Sequence, residues 1–257
     1  MNEKTKAGLS PRSVQPMRAT LRRALGYAVK WSLVSRNVAA LVDPPRTFRK
    51  PVQPLTTEQA RHFIEATKDD RFGPLFHVAI ASGLRQGELF GLHWEDVDFA
   101  ASTITVRYAL QRIEGTPTLV EPQTDKSRRM VALTVSAVAA LRMQKDRQAF
   151  ERQVKGESWR AWSLVFTSSI GTPIEPSNVT HRFQKLLADA GLHRQRFHAL
   201  RHCAASLLLA GGVAPRTIMG IIGHSQISLT MNTYAHLSPA LEREATDRLE
   251  ALLAASS

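Results

Sequence analysis

Apolar residues recur at helical spacing in the N-terminal part of the chain, and arginines fill the positions between them. In the stretch PMRATLRRALGYAVKWSLVSRN the apolar positions lie four, four and three residues apart, which predicts an amphipathic helix. Ser10-Pro11 and Pro16 both suit the start of such a helix, so the pattern leaves its first turn open. The apolar stripe consists of Met17, Leu21, Leu25 and Ala28.

A proline-rich, basic stretch, DPPRTFRKPVQP, follows a short predicted helix around residues 37–41. Prolines and charged side chains favour an extended, solvated backbone, so we predict a linker over residues 44–54. One long helix and a fragment bury little apolar surface by themselves. Residues 1–43 are therefore predicted to be part of a small helical domain, and we expect the chain to be an N-terminally shortened form.

The periodicity changes twice after the linker. Two helical stretches come first, LTTEQARHFIEAT with Thr57 as its predicted N-cap and FGPLFHVAIAS. Three stretches rich in β-branched residues follow, namely STITVRYALQRI, TPTLVEP and RRMVALT, with turn-forming residues between them. Helical periodicity returns at Val135 and persists. The predicted fold class is therefore mainly α with one small three-stranded antiparallel β-sheet (α+β).

Basic residues outnumber acidic ones by 34 to 22, which gives a formal net charge of +12. Such an excess indicates a polyanionic partner, and nucleic acid is favoured over an anionic membrane surface because the basic residues are scattered. No apolar run approaches the roughly 20 residues that span a membrane, and the N-terminus lacks the apolar region of a signal peptide. The single cysteine, Cys203, excludes an internal disulfide framework, so a reducing, cytoplasmic location is expected.

The stretch FHALRHCAASLLLAGG combines a polar and an apolar stripe. On a helix, His198, Arg201, His202 and Ala205 share one face, whereas Leu200 and the leucine run form a buried side. One interpretation is a helix whose polar residues merely face solvent. A metal site is another, because the two histidines stand four residues apart, but no Cys, Asp or Glu nearby completes it.

A second stretch, SGLRQGELFGLHWEDVDF, brings glycines to both sides of an arginine. Gly83 and Gly87 let the backbone turn sharply and present Arg85 near the N-terminal end of the following helix. Glu88, three residues on, can hold that arginine through a charge-assisted contact. The alternative is a helix hairpin with an ordinary surface ion pair.

A third stretch, IMGIIGHSQISLTMNTYAHLS, places His224 after Gly223 at the end of an apolar helix, and Tyr234 lies ten residues later. Separately, a histidine or a helical tyrosine of this kind is more often structural than catalytic. In order, however, the arginine, the His-x-x-Arg, the histidine and the tyrosine resemble the signature regions of the tyrosine recombinase (phage integrase) family. The resemblance covers about residues 10–245, and several motifs agree in order and spacing.

The resemblance implies a tyrosine recombinase catalytic-domain fold for residues 55–240 and the later part of a helical core-binding (DNA-binding) domain for residues 1–43. It implies a bacterial or phage-encoded site-specific recombinase or integrase of a mobile genetic element. Its partner would be double-stranded DNA carrying attachment or recombination sites. We expect a homo-tetramer on DNA and a monomer or weak oligomer off it, with residues 241–257 forming a C-terminal helix or tail that docks in trans.

The resemblance also implies a role for each candidate site residue. The nucleophile would be Tyr234, which forms a 3′-phosphotyrosyl bond and releases a 5′-hydroxyl. Breaking a phosphodiester this way needs positive charge on the non-bridging oxygens, which planar guanidinium groups supply, and needs no metal, ATP or other cofactor. In the remaining roles, Arg85 and Arg201 clamp the phosphate, His198 assists proton transfer, His224 hydrogen-bonds a phosphate oxygen, and Glu88 orients Arg85.

One position departs from the family pattern. The general acid of the family is a lysine in the hairpin between the second and third strands, and in EPQTDKSRRM that position is Gln123. An amide cannot donate a proton as an acid, so either Lys126 in the same turn reaches the site or turnover is impaired. In the second case Lys126 is a solvated hairpin charge.

Other functions stay open at this point. Gln123 and the short N-terminus also fit a non-catalytic DNA-binding remnant or regulator with the recombinase fold. A topoisomerase of the related class would use a similar residue set and would relax supercoiled DNA without a preferred site. A metal hydrolase would require zinc at the paired histidines.

Overall fold

The computed structural model describes residues 8–44, 53–121 and 128–223. The chain divides along its sequence into two compact units, Met1–Pro51 and Val52–Ser257. Most of the predicted linker and all of the predicted C-terminal tail lie outside the described residues.

The first unit contains one long helix, α1 (Pro11–Lys30), and a short 3-10 helix (Val38–Ala40) where a short helix is predicted. The hydroxyl of Ser10 accepts a 3.1 Å hydrogen bond from the backbone N–H of Ser13, so Ser10 caps the helix. Of the two possible starts, the chain therefore uses Ser10-Pro11, and Pro16 lies inside the helix.

The apolar stripe predicted on α1 is only partly buried. Val14 is fully buried, whereas the side chains of Met17 and Leu21 are 52% and 55% exposed. A helix of this kind is amphipathic as predicted, but its apolar face meets few partners within its own unit.

Helices dominate the second unit. Helix α3 is apolar all round and mostly buried, and it packs against both α5 and α7. The helices are α2 (Thr57–Ala66), α3 (Gly73–Ser82), α4 (Gln86–Phe90), α5 (Val135–Lys155), α6 (Pro176–Asp189), α7 (Ala199–Ala210) and α8 (Pro215–Ile222), with 3-10 turns at Trp94–Asp96 and Gly156–Ser158.

The N-cap predicted for α2 is wrong by one residue. The hydroxyl of Thr56 accepts from the backbone N–H of Gln59 at 3.2 Å, and the side chain of Gln59 accepts from the N–H of Thr56 at 3.1 Å. This reciprocal capping box makes Thr56 the cap and Thr57 the first helical residue.

The β structure consists of two small antiparallel sheets within the described residues. Strands β1 (Val97–Asp98), β2 (Thr103–Val106) and β5 (Arg129–Ala132) form the three-stranded sheet, in the order β1-β2-β5. Strands β3 (Ala109–Ile113) and β4 (Thr116–Val120) form a separate hairpin. The hairpin turns at Glu114 and Gly115, which both have positive φ.

The predicted first strand, residues 102–113, is thus divided between β2 and β3. The break falls at Arg107, whose guanidinium forms ion pairs with Glu95, at 2.7 Å, and with Asp96. The prediction of a mainly α chain with a small antiparallel sheet is confirmed, but the three strands are not the three predicted stretches.

The core of the second unit is built around phenylalanine. Phe63, Phe76, Phe183 and Phe197 contact one another with ring centroids 5.4 to 6.2 Å apart, and Phe90 adds a further contact to Phe197. Such tilted and edge-on pairs fix the helices that carry them. No helix among the described residues is long and apolar enough to cross a membrane.

Candidate active site

Arg85 lies at the junction of α3 and α4, where it occupies the N-cap position of α4. Its backbone N–H donates to Glu88 Oε2 at 2.9 Å, and its Nη1 atom donates to Glu88 Oε1 at 2.8 Å. The contact predicted between these two residues is therefore present. It is not an ordinary surface ion pair, because Glu88 is only 5% exposed.

A second arginine, Arg129 at the start of β5, also binds Glu88. Its Nη2 donates to Oε2 at 2.9 Å and its Nη1 to Oε1 at 3.2 Å. Burial by itself raises the pKa of Glu88, but the hydrogen bonds and charge of Arg129, together with the donors of Arg85, outweigh it and lower the pKa to about 2. Glu88 is therefore a buried, ionised carboxylate between two guanidinium groups.

Both arginines also hold the C-terminal end of α8. Arg85 Nη2 donates to the carbonyl of Gly223 at 2.8 Å, and Arg129 Nε donates to the carbonyl of Ile221 at 3.0 Å. The last carbonyls of a helix have no partner within the helix, so these donors satisfy groups that would otherwise need water. The end of α8, which leads directly to residue 224, is thus fixed against α4 and β5.

Arg201 on α7 is 2% exposed, and its Nη1 donates to the carbonyl of Gly83 at 2.7 Å. The interpretation in which Arg201 merely faces solvent does not hold, because its side chain is buried against the turn that contains Gly83. Gly83 makes the close packing possible. It has a φ of +61°, and a Cβ there would lie 2.7 Å from Ile222 Cγ2 and 3.3 Å from Ala204 Cβ.

His198 is the N-cap residue of α7, and its ring packs edge-on against His202 with centroids 4.9 Å apart. Burial, together with the charges of His202, Arg201 and Arg85, lowers the pKa of His198 to about 4. Both arginines thus lie close enough to act on this imidazole, which is neutral at physiological pH. Among the described residues, no group of three His, Cys, Asp or Glu side chains could hold a metal ion.

Residues 50–240 match the family model described as the phage integrase family. The chain belongs to the phage integrase family. The resemblance drawn from the three motifs is therefore confirmed, and the match covers α2 to α8 and the β structure.

Curated relatives of this phage integrase family member share a quarter to a third of its residues. A tyrosine recombinase XerC-like protein of Caldanaerobacter subterraneus subsp. tengcongensis is 28% identical over 98% of this chain and 69% of its own length. An integrase of Streptomyces ambofaciens is 32% identical over 88% of this chain and 60% of its own length. The chain thus spans roughly two thirds of these relatives, or slightly less.

Solved structures of the family show the same fold. The Tn1549 transposon integrase in complex with transposon right end DNA has a TM-score of 0.81 at 23% identity, covering 96% of this chain and 82% of that one. The XerA recombinase has a TM-score of 0.62 at 23% identity, covering 93% of this chain and 83% of that one.

The structure brings together four of the predicted site residues of this family member, namely Arg85, Glu88, His198 and Arg201. The other three candidates, Lys126, His224 and Tyr234, lie outside the described residues, as does Gln123. Their places in the site stay predictions.

Sequence reasoning missed Arg129, although a signal for it exists. In RRMVAL, alternation places Arg129 on the same face of the strand as Val131, which is buried, and Met130 on the opposite, exposed face. An arginine on the buried face of a strand needs a carboxylate partner. Glu88 is that partner, but their separation of 41 residues makes the pair invisible to local patterns.

Proposed function

We propose that this chain is a site-specific DNA recombinase or integrase that cleaves and rejoins strands through a covalent 3′-phosphotyrosyl intermediate on Tyr234. The observation that carries the proposal is the convergence of Arg85, Arg201 and a neutral His198 at the junction of α3, α4 and α7. The proposal goes beyond family membership, since it assigns a reaction and its residues to this chain.

The two arginines suit a phosphate clamp. Arg85 is fixed by Glu88 and by the carbonyl of Gly223, and Arg201 is fixed by the carbonyl of Gly83. A guanidinium that is already oriented stabilises the charge that develops on non-bridging oxygens without reorganising during the reaction. Its planar fork also matches two phosphate oxygens, which an ammonium group cannot do.

The proposed reaction is a transesterification. The phenolic oxygen of Tyr234 forms a bond to phosphorus, its proton passes to a base for which neutral His198 is the described candidate, and the bond to the 5′-oxygen breaks. The leaving 5′-oxygen takes up a proton and becomes a hydroxyl. Attack by the 5′-hydroxyl of another strand reverses the sequence. One phosphodiester replaces another of similar energy, so we propose that neither ATP nor a metal ion is needed.

We propose double-stranded DNA as the partner. The net charge of +12 supports a polyanionic ligand, and the Tn1549 transposon integrase of the same fold was solved on DNA. In this proposal, residues 55–240 are the catalytic domain, residues 44–54 a linker and residues 1–43 part of a DNA-binding domain. Residues 241–257 would dock on a neighbouring subunit within a tetramer formed on DNA.

A second candidate is a DNA-binding protein that keeps the clamp but turns over poorly. Gln123 favours it, because the amide at the usual position of the general acid has no acidic proton to give. Lys126 lies three residues further on. If it reaches the leaving oxygen it can supply the missing proton, which favours the recombinase over the DNA-binding protein.

The test is covalent capture of DNA. Duplexes that the chain binds are first selected from a randomised pool by gel shift. Each selected duplex is then prepared with a nick beside a candidate phosphate. Cleavage at that phosphate releases a short 5′-hydroxyl fragment, which diffuses away and leaves the adduct trapped. The reaction contains EDTA and no nucleotide. We expect a protein–DNA adduct that survives denaturing detergent. If selected duplexes are bound but none yields an adduct, the chain is a DNA-binding remnant and not a recombinase.

A further inference from the structure

We propose that Arg129 is a positioning residue for strand cleavage: it holds Glu88, and through Glu88 it sets the guanidinium of Arg85 toward the scissile phosphate. This rests on the proposed function, since Arg85 is taken as half of the phosphate clamp. Arg129 opens β5, and its side chain is 7% exposed, so it lies inside the fold and away from the surface that meets solvent.

Four hydrogen bonds fix the carboxylate of Glu88. Each carboxylate oxygen accepts one donor from each arginine: Oε1 accepts from Nη1 of both residues, and Oε2 accepts from Arg129 Nη2 and from the Arg85 backbone N–H. A carboxylate that is bound by four donors has one orientation. Without Arg129, the carboxylate keeps only the donors of Arg85, and its orientation is no longer set independently of Arg85.

Both arginines also bind the last turn of α8. Arg129 Nε donates to Ile221 and Arg85 Nη2 donates to Gly223, so the two arginines are joined twice, once through Glu88 and once through the last turn of α8. The packing is close at this point, because a Cβ on Gly223 would lie 3.0 Å from the Arg129 guanidinium carbon. Loss of Arg129 therefore loosens both supports of Arg85 together.

The contacts of Arg129 point to positioning and not to catalysis. The described hydrogen bonds of Arg129 go to protein groups, namely the two Glu88 oxygens and the Ile221 carbonyl. Arg85, by contrast, is 42% exposed and can meet a ligand. The structure thus separates an accessible arginine from a buried one that shares its carboxylate.

The neighbouring Arg128 provides a matched control. It carries the same charge one residue earlier, but its ion pair with Glu121 is open to solvent, with side-chain exposures of 58% and 61%. An exposed pair of this kind contributes little to stability or orientation. Arg129→Gln and Arg128→Gln therefore remove equal charge from adjacent positions, and only the first removes the support of Glu88.

The first measurement uses the free full-length chain and does not depend on cleavage. The protein is labelled with ¹⁵N-arginine, and the Nε–H signal of Arg85 is identified by its loss in Arg85→Lys. We expect Arg129→Gln to shift this signal and to speed its exchange with water, and we expect Arg128→Gln to leave it in place. An Arg85 signal that is identical in the unmodified protein and in Arg129→Gln would overturn the proposal.

The second measurement is the rate of covalent adduct formation on the captured duplex. Arg129→Gln should lower the rate by about 10- to 100-fold, the size typical of losing a group that orients a reactive side chain, while DNA affinity stays close to that of Arg128→Gln. The rate losses of Arg129→Gln and Glu88→Gln should not multiply. We expect the double variant to form the adduct only slightly more slowly than Glu88→Gln alone. Fully multiplied effects would contradict action through Glu88.

A conservative variant keeps the test decisive if Arg129→Gln fails to fold. Arg129→Lys retains the charge, but one ammonium group cannot reach both Glu88 oxygens and the Ile221 carbonyl, so we expect a shifted Arg85 signal and a slower rate. Unmodified signal and rate in Arg129→Lys would overturn the proposal. Should the unmodified chain form no adduct at all, the proposed function fails, and the arginine signals still decide whether Arg129 positions Arg85.

Discussion

The guanidinium of Arg85 donates a 2.8 Å hydrogen bond to the carbonyl of Gly223, a residue 138 positions later in the chain. This bond joins the start of α4 to the end of α8. It matters for the proposed mechanism because residue 224, the predicted phosphate-binding histidine, follows Gly223 directly. The first arginine of the proposed clamp is thus joined directly to the last turn of α8.

The clamp predicts that neither arginine tolerates lysine. Arg85→Lys and Arg201→Lys retain positive charge but lose the planar fork, and Arg201→Lys also loses the fixed bond to Gly83. We expect DNA binding to persist and adduct formation to fall by about 10²- to 10³-fold in each variant, the cost of removing one preorganised donor. Adduct formation near the unmodified rate in both variants would show that the arginines do not clamp the phosphate.

The environment of His198 predicts a pH response. Its pKa is about 4 in the folded chain, below the ordinary value of 6.5, so it is neutral where an unfolded chain would be protonated. Protonation therefore opposes folding, and the contribution of His198 to stability falls as pH drops from about 6.5 toward 4. Bound phosphate has the opposite sign of charge to the arginines, so DNA should raise this pKa.

The measurement is an NMR titration of the histidine ring signals, with and without a duplex selected for binding, and with His198→Gln to identify the signal. We expect a midpoint near 4 in the free chain and a higher midpoint on DNA. An ordinary midpoint without DNA would contradict the burial that mainly lowers this pKa. A midpoint that DNA leaves unchanged would contradict the proposed place of His198 beside the bound phosphate.

Local spacing predicted the parts of the site that are close in sequence. Arg85 and Glu88 stand three residues apart, and the flanking glycines indicate the turn that presents them. Their contact could therefore be predicted from the sequence alone. The motif around Arg201 also forms a helix as expected, although His198 is its N-cap residue and not part of the helix. The same motif left open whether Arg201 merely faces solvent, because the carbonyl of Gly83 that binds it lies 118 residues away.

Long-range contacts also explain the errors in the β structure. The stretch of residues 102–113 has continuous β propensity, but Arg107 turns toward Glu95 and Asp96 and ends β2 there. Arg129 was missed for the same physical reason, since its role depends on a carboxylate in another element. Propensity describes a residue and its neighbours, whereas pairing across the fold decides where a strand ends and which charges are buried.

The packing at Gly83 predicts an unequal effect of two alanine substitutions. Gly83 and Gly115 both have positive φ, +61° and +82°, and alanine should cost about 1–2 kcal/mol at either position for the left-handed backbone alone. At Gly83 the added methyl also meets Ile222, which should add about 1–3 kcal/mol, whereas nothing lies within 4 Å at Gly115. Denaturant unfolding measures both, and equal losses would contradict the close packing of α3 on α8.

The departure at Gln123 predicts a dependence on the leaving group. If Lys126 is the general acid, Lys126→Ala should fail on a 5′-oxygen and cleave well when sulfur bridges the 5′ position, because a thiolate leaves without protonation. The two duplexes are otherwise identical, and Gln123→Lys is the control. If the unmodified chain cleaves only the sulfur duplex and Gln123→Lys recovers the oxygen duplex, Lys126 is a bystander. Equal loss on both duplexes in Lys126→Ala would mean that it donates no proton.

The central claim is the covalent bond to Tyr234, and peptide mapping of the trapped adduct tests it most directly. The chain has three tyrosines, at positions 27, 108 and 234, so protease digestion and mass spectrometry can assign the linked residue without ambiguity. We expect the nucleotide on the peptide that contains Tyr234, no adduct from Tyr234→Phe, and unchanged adduct from Tyr27→Phe and Tyr108→Phe. DNA linked to either of the other tyrosines, or an adduct that persists in Tyr234→Phe, would contradict the account.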